Sequence, residues 1–132
     1  MAGYSGTPLE KKLGVKDGET VYLDGAPDGF ELEALTSARL PRMTGITLTF
    51  QTREAALTKR LPTLIERTRQ AGMIWICWPK KAARKLGWET DLDENIVRRI
   101  GLDAGVVDVK VCAIDEVWSG LKFVRRLADR AQ

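Results

Sequence analysis

Gly72-Met73-Ile74-Trp75-Ile76-Cys77-Trp78-Pro79 runs into Lys80-Lys81-Ala82-Ala83-Arg84-Lys85 and then Leu86-Gly87-Trp88-Glu89-Thr90-Asp91. From Met73 to Trp78 the run is apolar without alternation. A strand apolar on both faces belongs in the middle of a sheet covered on both sides. Proline cannot donate to a ladder, so Pro79 closes the strand. A basic loop over 79–90 follows, and Asp91 with Glu94 three residues on reads as a capping box opening a helix.

Outward from this strand, helical and extended patterns alternate. On the N-terminal side, Thr52 is expected to cap a helix from Arg53 to about Ala71. Its inner face is Leu57, Leu61, Leu64, Ile65 and Thr68, Pro62 kinks it, and Gly72 ends it. Ile46–Phe50, rich in β-branched residues, precedes it as a strand. Further back lie a strand over Glu19–Ala26, a short helix over Phe30–Leu35, a loop over 36–45 and a short helix from Pro8 to Gly14. On the C-terminal side, Leu92, Ile96, Val97 and Ile100 form a helical stripe stopped by Gly101 or Gly105. Val106–Ile114 is then a strand, the turn Asp115–Gly120 follows, and Leu121–Arg126 returns as the second arm of a hairpin.

The order βαβαβαββ implies right-handed crossovers and a mostly parallel sheet. The expected fold is therefore a three-layer, Rossmann-like α/β domain over residues 1–132. It has about five strands in the order 1-2-3-5-4, with the C-terminal hairpin strand antiparallel. Residues 1–18 form an N-terminal arm and short helix.

Composition sets the bounds. The chain has 132 residues, 44% of them apolar and 30% charged, which fits one globular domain with a real core. A net charge of +3 permits an anionic partner without demanding one. Lys59-Arg60, Arg67 with Arg69, Lys80-Lys81, Arg84-Lys85, Arg98-Arg99 and Arg125-Arg126 scatter around helices and mix with acids, so nucleic acid is not the expected partner. The absence of histidine removes the commonest general base and metal ligand, and no metal site is expected. Cys77 and Cys112 sit inside apolar strands and read as small buried groups. No segment approaches a signal peptide or the roughly 20 apolar residues of a membrane span, so a soluble cytoplasmic protein is expected.

Two resemblances add to this. From Ile46 onward, the succession of helix, Gly72, apolar strand, Pro79, helix, Gly105, Val-rich strand and Leu121-Lys122-Phe123-Val124 resembles the C-terminal half of a Rossmann-type S-adenosylmethionine methyltransferase. Tyr4-Ser5-Gly6-Thr7-Pro8-Leu9, Lys12-Leu13-Gly14, Trp78-Pro79-Lys80-Lys81, Thr90-Asp91-Leu92 and Asp108 through Lys122 resemble a bacterial family known only as a domain of unknown function, number three-zero-five-two. That second resemblance implies no activity. Leu86-Gly87-Trp88 departs from its pattern by lengthening the basic loop.

The first βα turn, Asp24-Gly25-Ala26-Pro27-Asp28-Gly29, bears on the cofactor. A dinucleotide fold uses glycines there for close backbone approach, and an acid at the end of the next strand for the ribose. Pro27 occupies the middle glycine position, and no acid-ended strand is expected before Ile46. No cofactor is expected.

Open α/β sheets bind ligands at the carboxyl edge. The candidate site gathers Gly25 and Gly29 after strand one, Gln51 to Arg53 after strand two, Trp78, Lys80 and Lys81 after strand three, and Asp115, Glu116 and Trp118 from the hairpin turn. Lys80 and Lys81 would hold a small anionic or nucleotide-like ligand, with Trp78 and Trp118 as a stacking wall. The structural alternative is that Asp115 or Glu116 pairs with Lys80 or Lys81 across the edge, with Trp118 plugging the core. The leading expectation is a non-catalytic binding or regulatory domain. The enzymatic alternative, a degenerate methyltransferase-like protein, would use Asp115 or Glu116 as general acid/base and Lys80 as electrostatic stabiliser; otherwise no catalytic residue is identified. Strand one would be an open edge, covered by residues 30–45 or by a second copy in a homodimer.

Overall fold

The computed structural model describes residues 8–131. The first seven residues of the arm, including most of the Tyr4–Leu9 motif, lie outside the described residues. Helix α1 (Leu9–Leu13) ends on Gly14, whose φ of 86° is the left-handed conformation glycine adopts freely. Strands β1 (Thr20–Asp24), β2 (Leu35–Ser37) and β3 (Thr44–Phe50) follow, then α2 (Glu54–Glu66), β4 (Thr68–Pro79), α3 (Glu94–Asp103), β5 (Val106–Ala113) and β6 (Trp118–Arg125). The six strands form one sheet in the order β2-β1-β3-β4-β6-β5. β1, β2, β3 and β4 pair in parallel, and β6 runs antiparallel between β4 and β5.

This is the expected α/β sheet with its antiparallel hairpin and its predicted relative order, plus one strand at the outer edge. That strand, β2, overturns the helix expected over 30–35. Phe30, Leu32 and Ala34 pack on the sheet from irregular chain that bends at Glu33 and Ala34. β2 also occupies the edge of β1, in register from Thr20–Leu35 to Tyr22–Ser37. Of the two covers expected for this edge, residues 30–45 or a second copy, the chain's own 35–37 segment is the one present.

Helices α2 and α3 cover one face. Leu57, Leu61, Leu64, Val97 and Ile100 pack there against Tyr22, Ile74, Ile76, Trp78, Leu121 and Phe123. Gly101 permits this closeness, because a Cβ there would collide with the Phe123 ring. The other face carries α1, the irregular 26–34 segment and Trp88 of the basic loop over Val21, Leu48, Phe50, Trp75, Cys77, Ile114 and Trp118. Trp75 Nε1 donates to the Leu13 carbonyl at 2.9 Å and ties α1 down. Both cysteines are free and buried here, and burial, then the charge of Asp115, pushes the Cys77 thiol well up. No described helix is long and apolar enough to cross a membrane.

Three local boundaries differ from expectation. α2 ends at Glu66, not at Gly72, because β4 already starts at Thr68. The register jumps from Thr44–Thr68 to Ile46–Met73, and Gly72 fits inside this irregularity, where a Cβ would meet the Gly45 carbonyl at 2.9 Å. The basic loop contains a 3-10 helix over Lys81–Leu86, closed by Gly87. A further irregularity between Asp108 and Lys110 breaks the simple alternation expected of β5.

Candidate functional site

The carboxyl edge of the sheet brings together the ends of β1, β3 and β4 and the β5–β6 turn. At the end of β4, Lys80 turns toward the hairpin. Its backbone N–H donates to the Val117 carbonyl at 2.8 Å, and its Nζ donates to the Asp115 carbonyl at 2.6 Å. The Asp115 carboxylate does not pair with either lysine. Its Oδ1 accepts from the N–H groups of Val117 and Trp118, both at 2.8 Å, and so builds its own turn. The predicted ion pair is absent at Asp115 among the described residues. Glu116 is exposed at the tip of the turn.

The stacking wall also fails, for a reason of strand geometry. Pro79 lies opposite Trp118 and Trp78 opposite Ser119, so the two indoles are one register step apart and emerge on opposite faces. Trp78 belongs to the α2/α3 face, and Trp118 to the α1 face. Trp118 is 4% exposed, with Phe50 and Trp88 edge-on at 5.1 Å each. It is a core plug, as the structural alternative held.

What remains open is a cavity of about 300 Å³ between the end of β4 and the start of α3. Trp78, Lys80, Lys81, Arg84, Asp93 and Ser119 are among its walls. Three of the predicted site residues therefore line it. Asp115, Glu116, Trp118, Gly25, Gly29 and residues 51–53 do not.

The charges around this cavity are unequal in availability. Asp91 Oδ1 accepts from the Glu54 N–H at 2.7 Å. It caps α2 from a distance, where Thr52 was expected to do so, and it leaves α3 to Asp93, whose Oδ1 accepts from Ile96 N–H at 2.8 Å. The Thr52 carbonyl instead accepts from Thr90 Oγ1 at 2.7 Å. Glu94 pairs with Arg98 at 2.8 Å. Lys81 and Arg84 are exposed, and no ion pair is recorded for either among the described residues.

The β1 end of the same edge is organised differently. Arg60 on α2 reaches Asp24 through Nη2 to Oδ1 at 2.8 Å and Nε to Oδ2 at 3.2 Å. Thr49 Oγ1 and Tyr22 O–H also donate to this carboxylate, at 2.8 and 2.9 Å. Gln51 Nε2 donates in turn to Thr49. Burial pushes the Asp24 carboxyl up, but hydrogen bonds from Arg60, Thr49 and Tyr22 outweigh it and hold it below the usual range. Burial and the Asp24 partner raise Tyr22.

Thr49 was not singled out from sequence, and Asp24 and Arg60 stood there only as part of a turn and of a basic pair. The only further signal was an acid at the end of a strand, which the turn pattern drew attention away from. Gly25 and Gly29 have φ of 71° and 83°, but the chain leaves them as coil, with no helix to present N–H groups to a phosphate. The strand that follows, β2, ends on Ser37 and not on an acid.

Half of the residues in the basic pairs are consumed internally, Arg60 and Lys80 among them. Arg67 donates to the Pro41 carbonyl. Arg98 joins Asp108, Arg99 joins Glu54, and Arg125 donates to the carbonyls of Ile65, Thr68 and Arg69.

Comparison with solved structures gives the same fold. The pyocyanin biosynthetic protein PhzM matches with a TM-score of 0.62 at 10% identity, over 92% of this chain and 55% of that one. The O-methyltransferase NcsB1 from neocarzinostatin biosynthesis, in complex with S-adenosylmethionine, matches at 0.54 and 14%, over 70% and 34%. Magnesium protoporphyrin IX methyltransferase from Synechocystis PCC 6803, with bound SAH, matches at 0.50 and 13%, over 70% and 51%. The chain thus spans roughly a third to just over half of the length of these neighbours. No family model matches the chain, so the numbered family of unknown function finds no support. No curated protein matches it either. What the comparisons establish is the architecture: this chain has the Rossmann-like sheet of S-adenosylmethionine-dependent methyltransferases.

Proposed function

We propose that this protein is a small-molecule-binding domain on a methyltransferase-type sheet, with an anionic ligand held at the end of β4. The observation that carries the reading is the cavity of about 300 Å³ beside two cations, Lys81 and Arg84, that no described carboxylate engages. The acids nearby already accept bonds, so an incoming anion is the group this wall lacks. Inorganic phosphate at millimolar concentration is expected to raise the melting temperature, because a ligand that binds only the folded state stabilises it by mass action. The Lys81→Ala/Arg84→Ala variant is expected to lose that rise. No rise in the parent protein overturns the proposal.

The second reading is an enzyme that uses S-adenosylmethionine. It is favoured by neighbours whose structures hold that cofactor or SAH and whose fold covers 70% of this chain. Against it stands the β1 exit, where Asp24 is locked to Arg60 and no acid ends β2. Titration calorimetry with S-adenosylmethionine and SAH separates the two. Micromolar binding that survives Lys81→Ala/Arg84→Ala favours the enzyme, and absence of heat favours the binding domain.

A further inference from the structure

Beside the first cavity lies a second, of about 390 Å³, which shares Arg84 and Thr90 with it. Its other walls are Arg53, Gly87, Trp88 and Glu89. Trp88 is the tryptophan that the core does not bury. Trp75, Trp78 and Trp118 are 0%, 5% and 4% exposed, whereas Trp88 is only partly covered. Its indole meets Trp118 edge-on, with centroids 5.1 Å apart and planes at 69°, and this contact holds the ring while it lines the cavity. Gly87, with φ of 90°, makes the turn that delivers it there. Thr90 Oγ1 accepts from Leu92 N–H while donating to the Thr52 carbonyl, and fixes the ridge between the two lobes.

We propose that the two lobes form one ligand site and that its ligand is an aromatic phosphate of the nucleoside monophosphate class. This rests on the anion reading above and names its ligand. The phosphate lies between Lys81 and Arg84, and the planar ring enters the second lobe against Trp88. A fixed indole is a stacking surface for any base. The guanidinium of Arg84, common to both lobes, suits a group that joins ring to phosphate. Arg53 adds positive charge on the far wall, its nearest carboxylate being the exposed Glu89 at 4.0 Å.

The test uses the full chain with inorganic phosphate, adenosine and adenosine monophosphate as probes. Quenching of intrinsic fluorescence that the Trp88→Phe variant loses reports on Trp88, which separates it from Trp78 in the wall of the phosphate lobe. Adenosine monophosphate is expected to bind more tightly than phosphate and to quench. Phosphate is expected to raise the melting temperature without quenching. Trp88→Leu is expected to weaken adenosine monophosphate about tenfold while leaving phosphate unchanged, and Trp88→Phe to keep most of the affinity. The melting temperature of each unliganded variant checks that the Trp118 contact has not been lost with the fold. If phosphate binds through Lys81 and Arg84 but the nucleotide binds no better, or Trp88→Leu leaves it unchanged, the ligand class is wrong and the anion site stands. If no probe binds, both readings fall.

Discussion

The exits of β1 and β4 lie on the same edge of one parallel sheet, yet they treat their charges in opposite ways. At β1, Asp24 accepts from Arg60, Thr49 and Tyr22, and its acceptor capacity is spent inside the protein. At β4, Lys80 is spent on a backbone carbonyl, but Lys81 and Arg84 face outward beside a cavity. The β1 exit is part of the framework, while the β4 exit, two strands away, keeps Lys81 and Arg84 beside a cavity. Position on a sheet edge permits a site, but the accounting of hydrogen bonds decides which exit can host one.

Arg60→Ala attacks the framework side and has the largest expected effect. It leaves a mostly buried carboxylate with only hydroxyl donors, and should cost about 2 kcal/mol in a urea titration. The variant should also change the acid limb of the stability curve. Asp24 is held below its unfolded value, so its contribution is present above the unfolded carboxylate range and is lost as pH falls through the lower, folded one. With Arg60 gone, that loss should be smaller. An unchanged acid limb would mean that Asp24 is not held down by this partner.

Asp91→Ala tests the seam between the two exits, because this loop residue caps α2. Loss of the Glu54 N–H bond should cost about 1 kcal/mol, in the range of an ordinary N-cap. Amide exchange at Glu54 should speed up while α3, capped by Asp93, stays protected. Equal loosening of both helices would break the assignment.

Lys81→Ala with Arg84→Ala attacks the open side, where the effect on stability should be smallest, about 0.5 kcal/mol or less. A clear loss of unliganded stability would show that these cations do structural work, and the contrast between the exits would dissolve.

Much of the scaffold was legible in the chain. The unbroken apolar run from Met73 to Trp78 marks a central strand, because only burial on both faces tolerates such a run. Tight spacing between Val106–Ile114 and Leu121–Arg126 forces a hairpin, since no crossover fits. β2 was not legible. Leu35-Thr36-Ser37 is too short for a period to show, and it is strand only because β1 offers its edge. The helix caps misled for a related reason: Asp91 and Asp93 both precede α3, and the distance to Glu54 across the fold determines which of them serves it.

For the candidate site, the sequence alone identified the carboxyl edge and the basic exit of β4, because strand order and the lysines are local facts. It paired Trp78 with Trp118 by residue type, but register sends adjacent positions to opposite faces, and register is a property of the assembled sheet. Arg60 lies 36 residues from Asp24, and Trp88 reaches Trp118 across 30 residues of intervening fold. The neutralised β1 exit and the open wall near Trp88 both depend on such contacts. Local pattern determined what each segment can be, and only tertiary packing decided which polar groups were left free to meet a ligand.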